Sequence, residues 1–281
     1  MNAGIEGGPA GDLRLAAIDL DGTLLSPDLT ISEANRRAIA HLRKASVEVV
    51  LASGRHFESI RPFALQLPEV RWIVSAQGGE VSDVERSVVL SRTFLEPHET
   101  QSILEVGKRL GMAAMVYTPA GILTDAEPSE ETEFYARLSG NTPISAHHAE
   151  LTQGPVYKIL WIGEEDQIAT LREEEDVVAL NLQTLRTHTR ILELMPVGVS
   201  KATGLGVLVE HLGLSARHAV AFGDAENDVP MFDWAAASVA MPHGWPIARQ
   251  RARWIAPPGP AETAFARAVD LVFEERLQHQ V

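Results

Sequence analysis

The stretch AIDLDGTLL, from Ala17 to Leu25, places two carboxylates, Asp19 and Asp21, directly after an apolar run and directly before a glycine. The apolar residues from Leu13 to Ile18 predict a short strand, and Gly22 predicts a turn at its end. A DG pair alone is most often only a turn. Two like charges side by side also repel, so they favour a function over a purely structural role.

The residues that follow alternate between helical and strand patterns. Ser32 to Ala45 predicts a helix with Ser32 as its N-cap, Val47 to Ala52 a strand, His56 to Leu67 a helix and Trp72 to Ser75 a strand. The same alternation returns late in the chain with helix Lys201 to Leu212, strand His218 to Phe222, helix Asn227 to Trp234, strand Ser238 to Met241 and a helix near Ala261 to Leu277. Strand, helix and strand in this order predict parallel pairing. We therefore expect an α/β fold with a doubly wound parallel, Rossmann-like sheet as its core.

The middle of the chain has a different pattern, of hairpins and helices. AAMVY and GILTD flank the turn signal TPAG, and NLQTLRT with RILELM predicts another antiparallel pair. Helices are expected at 98–110, 129–138 and 164–175. We therefore predict an inserted α+β domain. The predicted boundaries are 12–80 and 196–281 for the two parts of the core, 81–195 for the insert and 1–11 for a flexible, Gly-rich tail.

The composition narrows the possible functions. The 281 residues include 24 Lys and Arg against 38 Asp and Glu, a net charge of −14 that argues against general binding to nucleic acid or anionic membranes. There is no cysteine, hence no disulfide, thiolate nucleophile or Cys-based zinc site. We see neither a signal peptide nor an apolar stretch near the roughly 20 residues that span a bilayer. We therefore expect a soluble, cytoplasmic protein in which any anionic substrate is held by a local arrangement of residues or by a metal.

Polar residues follow four of the predicted strands at the point where each strand ends. These groups are Asp19 and Asp21; Ser53, Gly54 and Arg55; Gln77, Gly78 and Gly79; and Gly223 with Asp224, while Lys201 opens the helix after the insert. The carboxyl ends of strands in an open parallel sheet form its ligand crevice. We therefore expect these groups, distant in sequence, to meet at one site.

The types of these residues suggest a metal and a phosphate. Asp19, Asp21 and Asp224 offer hard oxygen ligands, which suit Mg2+ with several waters rather than zinc, and the cation would offset their repulsion. Turned backbone N–H groups at Gly22 and Thr23 would face an anion. The hydroxyl of Ser53 and the charge of Lys201 would complete a site for a phosphoryl group.

Each of these residues also has a simpler explanation. Ser53, Asp224 and Asp228 are typical helix caps, and a lysine in a first helical turn is usually solvated. An EF-hand loop is excluded because Gly22 is the fourth residue counted from Asp19, whereas that loop has its glycine at the sixth position. It is the ordered set, each member at a strand end or helix start, that favours an active site.

Four motifs in this order resemble those of the haloacid dehalogenase-like phosphohydrolases. They are IDLDGTLL, LASGR, SKATGLGVL and FGDAENDVPM. The last of them is similar to the Cof-type branch, in which a large α/β cap domain is inserted between the second and third motifs. The predicted insert 81–195 has the right place and size for such a cap.

The resemblance implies a role for each matching residue. Asp19 would attack phosphorus to form an aspartyl-phosphate, and Asp21 would protonate the leaving oxygen and then deprotonate the hydrolytic water. Mg2+ would be held by the carboxylates of Asp19 and Asp224 and the backbone carbonyl of Asp21, with Asp228 in support. Ser53 and Lys201 would hold the phosphoryl oxygens. The resemblance also assigns supporting positions to Gly54, Arg55 and Asn227.

Two stretches depart from the family pattern. Gln77, Gly78 and Gly79 stand where the branch usually has Asn-Gly-Ala, and Pro242, His243 and Gly244 follow Met241 where it usually continues Gly-Asn-Ala. Both departures concern the rim of the site and therefore the substrate. Arg55 would either reach the substrate or pair with a carboxylate of the core.

The resemblance implies a Mg2+-dependent phosphatase for a small phosphorylated metabolite, with sugar phosphates as the favoured class. A phosphomutase of the phosphomannomutase type and a non-catalytic member that binds a phosphorylated ligand are the alternatives. A receiver-type signalling domain is disfavoured, because receivers are compact and lack both the insert and an acid two residues after the acceptor.

Overall fold

The structure is a computed structural model that describes residues 12–278, so the predicted tail 1–11 lies outside the described residues. Within residues 12–278 no helix combines the length and the hydropathy needed to cross a membrane.

The first sheet has eight strands. They are β1 (Leu15–Ile18), β2 (Glu48–Ala52), β3 (Val70–Ser75), β4 (Glu80–Asp83), β5 (Val89–Arg92), β12 (Ala219–Gly223), β13 (Ala237–Ala240) and β14 (Trp254–Ile255). Their order is β14-β13-β12-β1-β2-β3-β4-β5. The pairs from β14 to β3 are parallel, and β4 and β5 extend the edge as an antiparallel hairpin.

Helices cover both faces of this sheet, as expected of a doubly wound fold. The helices are α1 (Glu33–Lys44), α2 (Phe57–Ala64), α8 (Lys201–His211), α9 (Val229–Trp234), α10 (Pro246–Arg251) and α11 (Ala264–Gln278). Side chains alternate across β1, so that Ala16 and Ile18 pack in one buried cluster and Leu15 and Ala17 in the other. Burial on both faces explains why the strand reads as a continuous apolar run.

The second sheet has six strands and forms the insert. They are β6 (Ala113–Thr118), β7 (Gly121–Thr124), β8 (Ile144–Ser145), β9 (Lys158–Ile162), β10 (Gln183–His188) and β11 (Ile191–Met195). Their order is β10-β11-β9-β6-β7-β8, antiparallel except for β7 with β8. Both predicted hairpins, β6 with β7 and β10 with β11, are confirmed.

Five helices accompany the second sheet: α3 (Pro97–Arg109), α4 (Glu130–Ser139), α5 (His148–Leu151), α6 (Glu165–Thr170) and α7 (Glu175–Val178). The helix expected at 164–175 is confirmed over 165–170 and continues as a 3-10 turn over 171–173, but its predicted end at 175 is wrong. Glu174 has extended backbone, with φ −62° and ψ 132°, and separates a short 3-10 turn from α7. Four consecutive acids at 173–176 repel one another within a helical turn, which disfavours a continuous helix.

The division of the chain into a core and an insert stays a prediction, but the pairing of the strands bears on its first boundary. The hairpin of β4 and β5 hydrogen-bonds to β3 of the first sheet, whereas the predicted insert starts at residue 81. Antiparallel pairing of β4 with β3 buries Val81 at this edge of the sheet. We therefore propose a later start for the insert, between β5 and α3.

Candidate active site

A cavity of about 310 Å³ lies at the carboxyl ends of β1, β2, β3 and β12, facing the second sheet. From the first sheet and its loops it is lined by Asp19, Asp21, Gly22, Ser53, Gly54, Arg55, Gln77, Asp224 and Asn227, among others. The structure thus brings most of the predicted residues to one crevice. Asp228 and Lys201 lie buried directly behind them, since both contact this group and both have no exposed surface.

Lys201 binds two carboxylates at once. Its Nζ lies 2.5 Å from Oδ1 of Asp19 and 2.6 Å from Oδ1 of Asp228. The position follows from the N-terminus of α8, where the Ser200 side chain accepts a hydrogen bond from the N–H of Thr203 and sets Lys201 in the first turn. Burial alone lowers the pKa of Lys201, but the two carboxylates outweigh burial and raise it above its usual range.

Asp228 fixes the loop after β12. Its Oδ2 accepts hydrogen bonds from the backbone N–H of Asp224 at 2.8 Å and of Ala225 at 3.0 Å, while its Oδ1 is bound by Lys201. Both oxygens of Asp228 are therefore occupied by the protein itself. Its place suits support of the site better than direct binding of a metal.

Asp19 and Asp224 are the acids of the site whose charged forms are disfavoured by burial. Burial raises the pKa of Asp19 to about 7, although Lys201 opposes the shift, and burial together with Asp19 raises the pKa of Asp224 well above its usual value. Carboxylate oxygens of Asp19, Asp224 and Asp228 lie within 4.8 Å of one another. We call these three acids with Lys201 the acidic cluster. Three carboxylates against one lysine fit a divalent cation, because its charge would offset their repulsion.

The turn after β1 brings Gly22 against the acidic cluster. Gly22 has φ +75°, and a Cβ there would lie 2.5 Å from Oδ2 of Asp224, so both conformation and space favour glycine. The hydroxyl of the next residue, Thr23, donates to Oδ1 of Asp224 at 3.3 Å. His243 belongs to one of the two stretches that depart from the family pattern, and its Nε2 donates to the carbonyl of Gly22 at 2.7 Å.

Asp21 pairs with Arg55 rather than with Lys201. Arg55 donates through Nε to Oδ2 at 2.7 Å and through Nη2 to Oδ1 at 2.6 Å, a two-point pair, and its Nη1 donates to the backbone carbonyl of Ser139 at 2.7 Å. Of the two roles left open for Arg55, the structure therefore has it paired with a carboxylate of the first sheet. Because Ser139 ends α4, the same guanidinium also contacts the insert.

Gln77 belongs to the other stretch that departs from the family pattern. Its side chain connects the first sheet's side of the cavity with the insert. Its Oε1 accepts from Nδ2 of Asn227 at 3.3 Å, and its Nε2 donates to Oε2 of Glu193 on β11 at 3.3 Å. Ser53 is 1% exposed beside it, and the hydroxyl oxygen of Ser53 accepts from the N–H of Arg55 at 3.2 Å.

The insert supplies the opposite wall of the cavity, and sequence reasoning missed most of its residues. The wall includes Tyr117, Tyr135, Leu160, Thr187, Ile191 and Glu193. His188 also lines the cavity. The phenol oxygens of Tyr117 and Tyr135 lie 2.8 Å apart, and burial raises the pKa of both.

A second buried ion pair lies in this wall. Nζ of Lys158 lies 2.6 Å from Oε2 of Glu193 and 2.7 Å from the carbonyl of Gly54, and Lys158 has no exposed surface. We call Lys158 and Glu193 the cap pair. A signal was present in the sequence, since each charge interrupts an apolar strand, in VYKILWI and in ILELM. One such interruption rarely identifies a partner, because pairing depends on strand register.

Comparison with known proteins agrees with this geometry. A family model described as haloacid dehalogenase-like hydrolase matches residues 16–267. The chain belongs to the haloacid dehalogenase-like hydrolases. It is 29% identical over 240 residues to an HMP-PP phosphatase of Enterobacter sp. (strain 638), covering 83% of this chain and 85% of that one. It is 28% identical over 237 residues to an HMP-PP phosphatase of Escherichia coli O8 (strain IAI1), covering 84% and 86%.

Solved structures share the fold. A haloacid dehalogenase-like hydrolase from Bacteroides thetaiotaomicron is 27% identical with a TM-score of 0.80, covering 93% of this chain and 100% of that one. A HAD subclass IIB sugar phosphatase, at 17% identity, has a TM-score of 0.82 and covers 93% and 99%. The predicted α/β fold and the resemblance to the Cof-type branch are confirmed. The chain is a phosphatase of this family.

Proposed function

We propose that the protein is a Mg2+-dependent phosphatase that hydrolyses a small phosphorylated metabolite, with sugar phosphates as the favoured class, through an aspartyl-phosphate. The observation that carries the proposal is the placement of Asp19, which Lys201 holds at 2.5 Å beside Asp224 at the edge of the cavity. The HMP-PP phosphatases and the sugar phosphatase among its relatives are consistent with a small phosphate ester as substrate.

The first step assigned to the chain is attack on phosphorus. Since Lys201 binds Oδ1 of Asp19, the other carboxylate oxygen, Oδ2, would form the new bond to phosphorus. The bond from phosphorus to the leaving oxygen breaks, and Asp21 gives that oxygen its proton. Both oxygens of Asp21 accept from Arg55, so at least one of these bonds must open before Asp21 donates a proton.

The second step releases phosphate. Asp21, now ionised, takes a proton from water, whose oxygen attacks the phosphorus, and the bond to Asp19 breaks. Ser53, with the backbone N–H of Gly22, would bind the phosphoryl oxygens through both steps. The backbone N–H of Thr23, predicted to face the anion as well, instead donates to the carbonyl of Leu20 at 3.2 Å. Lys201 would keep Asp19 ionised and in place.

A divalent cation at the acidic cluster would supply positive charge for the transferring phosphoryl group. Asp19 and Asp224 are the residues that would hold it, together with the backbone carbonyl of Asp21. Asp228 would orient Lys201 and the loop that carries Asp224, since its oxygens already accept three hydrogen bonds. A cytoplasmic location remains an expectation of the sequence.

The test is phosphate release from p-nitrophenyl phosphate and a panel of sugar phosphates, with Mg2+ and with EDTA. We expect release with Mg2+ that EDTA abolishes. An isomeric phosphate ester in place of free phosphate would instead support a phosphomutase. Binding of the esters with neither product would support a non-catalytic member and overturn the proposal.

A further inference from the structure

We infer that the wall formed by the insert selects phosphate esters of uncharged alcohols that present a hydroxyl or amino donor, and that it rejects esters with a second anionic group. The inference rests on the proposed phosphatase function. It assigns Thr187 and Glu193 as the residues that determine this specificity. Both line the cavity on the side opposite the acidic cluster.

The carboxylate of Glu193 is held rigidly by three donors. Its Oε2 accepts from Lys158 at 2.6 Å and from Gln77 at 3.3 Å, and its Oε1 accepts from the hydroxyl of Thr187 at 2.9 Å. A carboxylate has about four sites for hydrogen bonds, so one acceptor site on Oε1 remains. Glu193 is 4% exposed, which limits the access of water to that site.

Thr187 presents an acceptor to the cavity as well. Its hydroxyl proton is committed to Glu193, so the lone pairs of Oγ1 are the groups left for a ligand. Two adjacent acceptors bind a donor such as a hydroxyl or an amine. They repel a second phosphate or a carboxylate, and repulsion of this kind is a common source of specificity.

The surroundings of this acceptor pair are mostly apolar. His188 is the titratable neighbour of Thr187 in this wall, and burial lowers its pKa, which disfavours its charged form. Leu160, Ile191 and Tyr117 belong to one buried cluster on this face of the second sheet. The lysine of the wall, Lys158, is already bound by Glu193 and by the carbonyl of Gly54. An anion placed here would lose its hydration without gaining a free cation, which is costly.

The experiment measures kcat/KM with Mg2+ for two matched pairs of esters. Glucose 6-phosphate is compared with glucose 1,6-bisphosphate, and glycerol 3-phosphate with 3-phosphoglycerate. In each pair we expect kcat/KM to be at least about tenfold higher for the ester without a second anionic group. Like charges brought together without solvent repel strongly. Equal or better hydrolysis of the anionic members would overturn the inference.

Variants of the wall separate specificity from stability. Thr187→Val keeps the shape of the side chain but removes its hydroxyl. We compare kcat/KM for glucose 6-phosphate with kcat/KM for p-nitrophenyl phosphate and expect the ratio to fall by about five- to tenfold. A change of this size is the effect of one lost hydrogen bond. Thr184→Val, on the same strand but not among the cavity residues, is the matched control. Equal ratios in the two variants would contradict the assignment of Thr187.

Glu193→Gln is the direct test of charge. It should reduce the preference for glycerol 3-phosphate over 3-phosphoglycerate by about tenfold, because the repelling charge is removed. If Glu193→Gln folds and its preference for glycerol 3-phosphate is unchanged, the role of Glu193 is contradicted. If Glu193→Gln does not fold, the ratio of kcat/KM values measured for Thr187→Val tests the inference instead. Failure to release phosphate from p-nitrophenyl phosphate would overturn the proposed function itself, and this inference with it.

Discussion

The acidic cluster and the cap pair each contain a lysine with no exposed surface, yet the pKa values of the two lysines shift in opposite directions. Lys201 contacts two carboxylates, and its pKa is raised above the usual range. Lys158 contacts one carboxylate, and its pKa is lowered, because burial, with a smaller contribution from the like charge of Lys201, outweighs the single partner Glu193. The second carboxylate partner of Lys201 therefore contributes to the difference in sign between the two equally buried lysines.

This difference explains what each region can bind. The acidic cluster has three carboxyl groups against one lysine, which suits a divalent cation and, through it, a phosphoryl group. The cap pair is neutral as a whole, which suits the uncharged part of a substrate. One cavity thus has a charged end for the chemistry and a neutral end for recognition, and the predictions below test that contrast.

The largest effect should follow Asp19→Asn. An amide cannot form the aspartyl-phosphate, so activity on p-nitrophenyl phosphate should fall by at least about 10⁴-fold, as for the loss of other nucleophiles. Phosphate release measures the loss, and circular dichroism with thermal unfolding checks the fold. Asp166→Asn, an exposed acid of α6, is the control and should retain full activity. Substantial activity in folded Asp19→Asn would disprove the assignment of the nucleophile.

The two lysines should separate catalysis from stability. Lys201→Met and Lys158→Met should each destabilise the protein by about 3–5 kcal/mol, because each leaves a buried carboxylate unpaired. Activity of the folded fraction on p-nitrophenyl phosphate should be at least about 100-fold lower for Lys201→Met than for Lys158→Met, since charge near the transferring group contributes most to such reactions. Urea unfolding and initial rates measure both quantities. Equal losses of activity would remove the contrast between the two regions.

Removing both partners of the cap pair sharpens the same test. Lys158→Met combined with Glu193→Leu should recover most of the free energy of unfolding lost in Lys158→Met, because a buried ion pair can be replaced by apolar side chains at little cost. If the double variant is as unstable as the single one, hydrogen bonds of Glu193 to Gln77 and Thr187 contribute more than the ion pair does.

Metal binding should be confined to the charged end of the cavity. Mg2+ at about 100 times its Kd should raise the free energy of unfolding of the EDTA-treated protein by about 2.7 kcal/mol. Asp224→Asn should abolish most of this stabilisation, whereas Thr187→Val should not change it. Thermal unfolding with and without Mg2+ gives the answer, and stabilisation that survives in Asp224→Asn would place the metal elsewhere.

The smallest effect should follow substitution of Arg55, which contacts Asp21 at the charged end of the cavity and Ser139 of the insert. Arg55→Lys replaces a two-point pair with Asp21 by a single contact, and we expect kcat to fall by about tenfold through poorer orientation of the acid. Arg61→Lys, on the neighbouring helix α2, is the control. A rise in KM with unchanged kcat would instead make Arg55 a substrate-binding residue.

The sequence by itself determined the core sheet and the residues at its strand ends. β1 and β2 are buried on both faces and read as apolar runs, and in a parallel sheet the residues that follow such strands must meet at one edge. Asp19, Ser53 and Asp224 could therefore be placed together without coordinates. Lys201 could be added because its helix starts at the same edge.

Only the tertiary structure decided the partners of the remaining residues. The pairing of Lys158 with Glu193 depends on the register of β9 with β11, and that of Arg55 with Asp21 depends on side-chain direction in a loop. The place of β4 and β5 in the first sheet depends on hydrogen bonds at a sheet edge. Local patterns fix the period and the ends of a strand, but contacts between strands distant in sequence depend on packing, and packing determined the neutral wall of the cavity.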